Sequence, residues 1–177
     1  MPINSKTLSL IKNKLKSYLK DKRILDMILF GSIVKGKSLP NDIDIAFITN
    51  ENIQPAIENF HISILKPSNF FVNPPTLINT LLREGYSLKF NKPFSQRYSF
   101  SNKVLFVYSL KGLSASKKVK IVNILRGKNK EKGMVEENNG EWVANQVFLC
   151  PIGAENLFVK FLANFNINFK KSYILIH

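Results

Sequence analysis

The spacing of apolar residues changes period several times along the chain, and each change marks an element. Leu8, Ile11, Leu15 and Leu19 recur at helical spacing, with Lys6, Lys12, Lys14, Lys16 and Lys20 between them. This predicts an amphipathic helix over 5–20, capped by Asn4 or Ser5 and covering a sheet. Residues 24–30 form a short apolar run that stops at Gly31-Ser32, the pattern of a buried strand. A short helical spacer around 32–37 leads to a second strand over 42–48. Residues 60–65 (Phe-His-Ile-Ser-Ile-Leu) predict a third, after a helix or loop interrupted near Pro55. Thr76–Glu84 reads as a helix with Pro75 near its first turn and Gly85 at its end.

The next stretch, 86–102, is polar, aromatic and irregular, and reads as a linker or an extra hairpin. Beyond it the pattern restarts. Strands are predicted at 103–110, 133–137, 141–150 and 173–176, with helices from Ser114 or Ser116 to about Leu125 and over 154–164. Asn138-Asn139-Gly140 is the turn signal placed between the middle two strands. The order strand-helix-strand-strand-helix-strand is the ferredoxin-like arrangement. The chain therefore divides into a domain at 1–85, a linker at 86–102 and a small ferredoxin-like α+β domain at 103–177.

Composition bounds the class. With 177 residues, 45 % hydrophobic content and fourteen phenylalanines, the chain can build real cores. It has no run of eighteen apolar residues, and its first residues lack a signal-peptide pattern, so a cytoplasmic protein without a membrane span is expected. The single cysteine, Cys150, excludes an internal disulfide framework.

Charge adds a partner. The net charge is +14, and between Glu84 and Glu131 there are eleven basic residues and no acidic one. Such a concentration points to a polyanion, nucleic acid first and an acidic protein or lipid head groups behind it; a lysine-rich composition without purpose is the alternative. Arg126, Lys128 and Lys130 share a flexible glycine-containing loop and are the phosphate-contact candidates, with Lys117 and Lys118 on the preceding helix. Phe106, Tyr108, Trp142 and Phe148 either stack bases or form core.

The chemistry is concentrated at 29–45, Leu-Phe-Gly-Ser-Ile-Val-Lys-Gly-Lys-Ser-Leu-Pro-Asn-Asp-Ile-Asp-Ile. Asp42 and Asp44 are two apart on a strand, so they project from one face while Ile43, Ile45 and Phe47 point to the other. Two adjacent carboxylates repel unless a cation lies between them; Mg²⁺, or Mn²⁺ in its place, prefers such oxygen ligands and arrives with substrate phosphates. The Gly31-Ser32 turn offers backbone N–H groups to a triphosphate.

A hydrophobic-Gly-Ser turn, a spacer of about ten residues and Asp-hydrophobic-Asp resembles the signature of the DNA polymerase β-type nucleotidyltransferase superfamily, closest to its minimal members. Pro40 before the aspartates also fits. The resemblance covers roughly residues 20–65 and implies a nucleotidyltransferase-like mixed sheet with helices, an α/β (α+β) fold. It implies that Gly31 and Ser32 hold the phosphates of ATP or another NTP, and that Asp42 and Asp44 are the catalytic ligands of the metal. Lys35 and Lys37 either neutralise phosphate or are solvated loop lysines.

One departure stands out. Members usually carry a third acid on the next core strand, where this chain has His61 and Ser63. Glu58 or Glu51 substitutes if the register shifts, or His61 serves as the base. The implied activity is metal-dependent transfer of a nucleoside monophosphate from an NTP to a hydroxyl on a nucleic acid, a protein or a small molecule. The alternative is a non-catalytic member that binds nucleotide, or nucleic acid through its basic half. A toxin–antitoxin role suits either.

Overall fold

The structure, a computed structural model, describes residues 3–37, 42–129 and 131–177. Pro40 and Lys130 therefore lie outside the described residues. The chain divides into two compact units, Met1–Asn102 with Leu175–His177, and Lys103–Ile174. Among the described residues no helix is long and apolar enough to cross a membrane.

The N-terminal unit begins with α1 (Ser5–Lys14) and α2 (Lys16–Lys20), one predicted helix broken at the fully buried Leu15. Asn4 caps α1 through its side chain, which accepts the Lys6 N–H at 2.9 Å. The strands follow as β1 (Ile24–Leu29), β2 (Ile43–Thr49) and β3 (Phe60–Leu65), then α3 (Thr76–Glu84) and two short strands, β4 (Tyr86–Ser87) and β5 (Lys92–Pro93). They form one mixed sheet in the order β3-β2-β1-β4-β5, parallel only between β2 and β3.

Alternation along β1 and β2 supplies both faces of that sheet. Ile24, Met27, Leu29, Ile43, Ile45 and Phe47 pack with Ile11 and Leu15 of the N-terminal helices. Ile28, Ala46 and Ile48 pack on the other face with Ile78 and Leu81 of α3 and with Phe94. The sheet is covered on both sides, which explains why β2 is apolar at nearly every position.

Two sequence expectations change here. Residues 86–102 follow the hairpin reading rather than the linker: Tyr86 and Ser87 pair with β1, Lys92 and Pro93 return on them, and Leu88 and Phe94 are buried. Within β1, Asp26 interrupts the apolar run and is 1 % exposed. Its Oδ1 accepts hydrogen bonds from the Met27 N–H at 2.8 Å and the Ser87 hydroxyl at 2.7 Å.

Burial pushes the Asp26 carboxyl above its ordinary range, against the opposing pull of Ser87, Met27 and Arg97. A carboxyl raised in this way binds its proton more tightly folded than unfolded. Its contribution is therefore most favourable at acid pH and is lost as pH rises past the raised value. Asp26→Asn, isosteric and neutral, is expected to be at least as stable as the parent at pH 8, and to lose that standing toward pH 4. Urea melts at the two pH values check this; a variant clearly weaker at pH 8 contradicts it.

The C-terminal unit holds β6 (Ser101–Ser109), α4 (Ala115–Arg126), α5 (Met134–Glu137), β7 (Glu141–Ala144), β8 (Val147–Pro151), α6 (Glu155–Asn164) and β9 (Asn168–Ile176). The sheet order β7-β8-β6-β9 places the strands second, third, first and fourth, the ferredoxin-like order. The expected strand at 133–137 is instead the single-turn helix α5. Asn139, at φ 56°, lies just past its end, and the Gly140 N–H bonds to the Val135 carbonyl at 2.8 Å. Asn-Asn-Gly thus stops a helix, a role that uses the same tolerance of positive φ as a hairpin turn. The hairpin turn itself falls at Asn145-Gln146, where Gln146 has φ 59°.

Phe106 and Phe148 stack at 5.2 Å between centroids and pack with Phe158 of α6. With Tyr108 buried and Trp142 packed against the same cluster, all four aromatic candidates belong to the core of this unit and none forms a base-stacking platform. Cys150 is buried there too, its thiol pushed up to about 12 by burial, which makes it an inert packing residue.

Candidate active site

The described part of the 29–45 motif comes together at one end of the α3-covered face of the N-terminal sheet. Asp44 is the second residue of β2, and Asp42 is exposed immediately before that strand. β1 ends opposite Ile45, and the Phe30 N–H donates to the Asp44 carbonyl at 3.1 Å, so the chain turns at Gly31 directly beside Asp44.

Gly31 has φ +76°, in the left-handed region that suits glycine. A Cβ placed on it would lie 2.4 Å from Asp44 Oδ2. Absence of a side chain at Gly31 is thus what lets the turn and the aspartate share one space. Gly31–Ile33 form only a three-residue 3-10 turn, shorter than the predicted helical spacer. So short a turn has no helix dipole to offer an anion, and its Gly31 N–H is already given to a carboxylate, Glu84 Oε1, at 3.1 Å. Ser32 is half-buried in this turn and Lys37 is exposed beyond it.

The parallel register sets Asp44 against His61 of β3. His61 Nδ1 stands 3.3 Å from Asp44 Oδ1, with the imidazole 77 % exposed. The position where the resemblance calls for a third acid therefore holds this histidine. Glu51 and Glu58 are exposed in the segment before β3 and do not replace it in the register. Among the described residues, no group of three His, Cys, Asp or Glu side chains could hold a metal ion.

Sequence reasoning missed one member of the site. Glu84, the last residue of α3, is 4 % exposed. Its Oε1 accepts the Gly31 N–H at 3.1 Å, and its Oε2 faces Lys35 Nζ at 3.0 Å and Arg83 Nη2 at 3.2 Å. Lys35, expected to meet phosphate, is thus held against a carboxylate that also anchors the Gly-Ser turn. An acid in the last turn of a helix faces the negative end of the helix dipole. That mismatch, compensated here by two cations and an amide, was the available signal.

In the C-terminal unit, Lys117 and Lys118 are exposed on α4 and Lys128 is exposed just beyond it. Arg126 ends α4 and lies over the Trp142 ring at 3.9 Å. The loop after it is tighter than its composition suggests. A Cβ on Gly133 would meet Gly127 N at 2.2 Å, so the two glycines let the backbone close on itself.

The sheet, turn and aspartate are consistent with a nucleotidyltransferase-like fold. Residues 13–67, about a third of the chain, match the family model described as polymerase beta, nucleotidyltransferase, which supports assignment of this segment to the DNA polymerase β-type nucleotidyltransferase superfamily. No curated protein and no solved structure matches the chain.

Proposed function

We propose that the N-terminal unit binds a nucleoside triphosphate with Mg²⁺ or Mn²⁺ and transfers its nucleoside monophosphate to a hydroxyl acceptor. The observation that supports this reading is the close approach of Gly31 to Asp44 Oδ2, which sets the phosphate-type turn and the carboxylate side by side.

The donor set suits a metal that arrives with its substrate. Mg²⁺ is commonly held by one or two carboxylates together with substrate phosphates and water, so a pair of aspartates is sufficient and a third protein ligand is not required. Asp42 and Asp44 are the residues that would hold it, and bound there it would neutralise charge on the triphosphate and acidify the attacking hydroxyl. Ser32 offers a hydroxyl to a phosphate oxygen. His61, beside Asp44 and open to solvent, is placed to accept the proton of the attacking hydroxyl, a task imidazole performs near neutral pH. Glu84 keeps the Gly31 amide and the Lys35 ammonium in fixed positions at the rim.

Incubation with labelled NTPs, Mg²⁺ or Mn²⁺ and candidate acceptors tests the reading. Label should pass to an acceptor with the parent protein and fall to background with the Asp42→Asn/Asp44→Asn double variant. Equal labelling by both would end the enzymatic reading.

The histidine in place of a third carboxylate favours a second reading, in which the pocket binds nucleotide without transfer. In either case the basic C-terminal unit is the proposed contact for nucleic acid, through Lys117, Lys118, Arg126 and Lys128. If phosphates dominate, binding of single-stranded RNA or DNA should weaken steeply between 50 and 200 mM salt. Salt-insensitive binding, or none, overturns that part.

A further inference from the structure

The far end of the N-terminal sheet carries an aromatic cleft that the proposed reaction does not use. Ile48 lies four residues along β2 from Asp44, about 13 Å away at ~3.3 Å per residue. Ile48 and Phe94, both buried, form the floor of a cleft of about 250 Å³. Leu25, Phe71, Tyr98 and Arg97 line it as well, and all four are exposed. Phe71 is 80 % exposed, Leu25 47 % and Tyr98 41 %.

Apolar side chains gathered in the open around one recess mark a surface that something covers. Aromatic residues and arginine are the types enriched at the centre of protein–protein interfaces. Asp26 is sealed beneath the cleft, its carboxylate occupied by Met27, Ser87 and Arg97. The polar group left at the rim is therefore the outer side of the Arg97 guanidinium. Of its five N–H donors the bond to Asp26 uses one, at Nη1, and the group lies over the Phe90 ring at 4.3 Å.

The segments that form the rim bring further positive charge. Lys22 and Arg23 precede Leu25, and Lys66 precedes Pro67, which also lines the cleft; all three cations are exposed. Asp21 is paired with Arg23. Among the described residues of this unit, the exposed acids outside the Asp42–Asp44 pair are Glu51 and Glu58.

We propose that this cleft docks a short acidic segment of a partner protein, anchored by one aromatic or aliphatic side chain. The anchor fills the recess between Phe71 and Tyr98, and carboxylates beside it meet Arg97 and the neighbouring lysines. The volume lies below the ~300–1,000 Å³ of sites for drug-sized ligands, which suits one or two side chains. A second copy is the poorer occupant, because it sets like charges together in a chain of net charge +14. A nucleic acid strand is poorer too, since it needs an open basic track rather than an apolar recess.

The test is selection of random peptides of about a dozen residues, displayed on phage, against the full chain. Enriched peptides should carry an aromatic or aliphatic residue flanked by Asp or Glu. A synthetic copy of one, followed by fluorescence anisotropy, should bind more weakly as salt rises. Phe71→Ala, at a position the fold leaves to solvent, should weaken it roughly tenfold or more, and Tyr98→Ala should do the same. Asp44→Asn should leave it unchanged.

Acidic peptides that bind the parent and both variants alike report charge alone and overturn the proposal. So does enrichment of peptides without acidic residues, or of none. Sedimentation that shows a dimer of the parent and a monomer of Phe71→Ala would assign the cleft to a second copy instead. A single-stranded oligonucleotide that displaces the peptide and itself loses affinity in Phe71→Ala would assign it to nucleic acid, and either result overturns the proposal.

Discussion

Gly31→Ala is expected to leave a folded protein that has lost nucleotide binding and transfer. Two costs arise at this position and they fall on different properties. An alanine at φ +76° sits in the left-handed region, worth about 1–2 kcal/mol of stability. The new methyl would also lie 2.4 Å from Asp44 Oδ2. That oxygen ends a short side chain, so the carboxylate can rotate away, and the collision is relieved by moving the proposed metal ligand rather than by unfolding the sheet. A displacement near 1 Å at a reacting centre can cost about a hundredfold in rate. The expected result is a modest fall in the urea midpoint with at least a hundredfold loss of transfer. A variant that keeps its activity would show that Asp44 is not part of the pocket.

Glu84→Ala should produce the largest loss of stability among substitutions at the site. It removes a buried carboxylate from between the Gly31 amide, Lys35 and Arg83. Breaking a buried ion pair from one side costs about 3–5 kcal/mol. Here the cationic side chains are 22 % and 35 % exposed, so water recovers part of that, and about 2–3 kcal/mol is expected. Glu84→Gln keeps an acceptor for the Gly31 N–H and should cost about half as much, because it loses charge but not the hydrogen bond. Equilibrium unfolding of the two variants gives the ordering. If Glu84→Ala unfolds within ~0.5 kcal/mol of the parent, Glu84 does not anchor the turn.

How far the sequence could be read follows from where each element gets its information. β3 and α3 lie where their residues predict, since Phe60–Leu65 and Thr76–Glu84 carry both their periodicity and their stop signals locally. The Gly-Ser turn and Asp44 were legible for the same reason, each being a short-range pattern. Residues 86–102 left a linker and a hairpin both open, because two-residue strands have no periodicity and exist here only through pairing with β1. Asn138-Asn139-Gly140 misled because helix ends and hairpins both recruit residues that tolerate positive φ, and only the tertiary partner decides between them. Glu84 and Asp26 were hidden in apolar elements. Their roles depend on Lys35, Arg83, Ser87 and Arg97, three of which lie more than a few residues away or on other elements. A lone acid in an apolar run is the trace left by Asp26, and an acid in the last turn of a helix the trace left by Glu84.

The proposed function requires Gly31, Ser32, Asp42 and Asp44 to form one pocket for a metal-bound nucleoside triphosphate. Calorimetric titration of a non-hydrolysable ATP analogue, with and without Mg²⁺, into the parent protein and the Asp44→Asn variant tests it most directly. Binding by the parent should depend on Mg²⁺ and be lost in Asp44→Asn. Equal affinity with and without the metal, unchanged by the substitution, would contradict it.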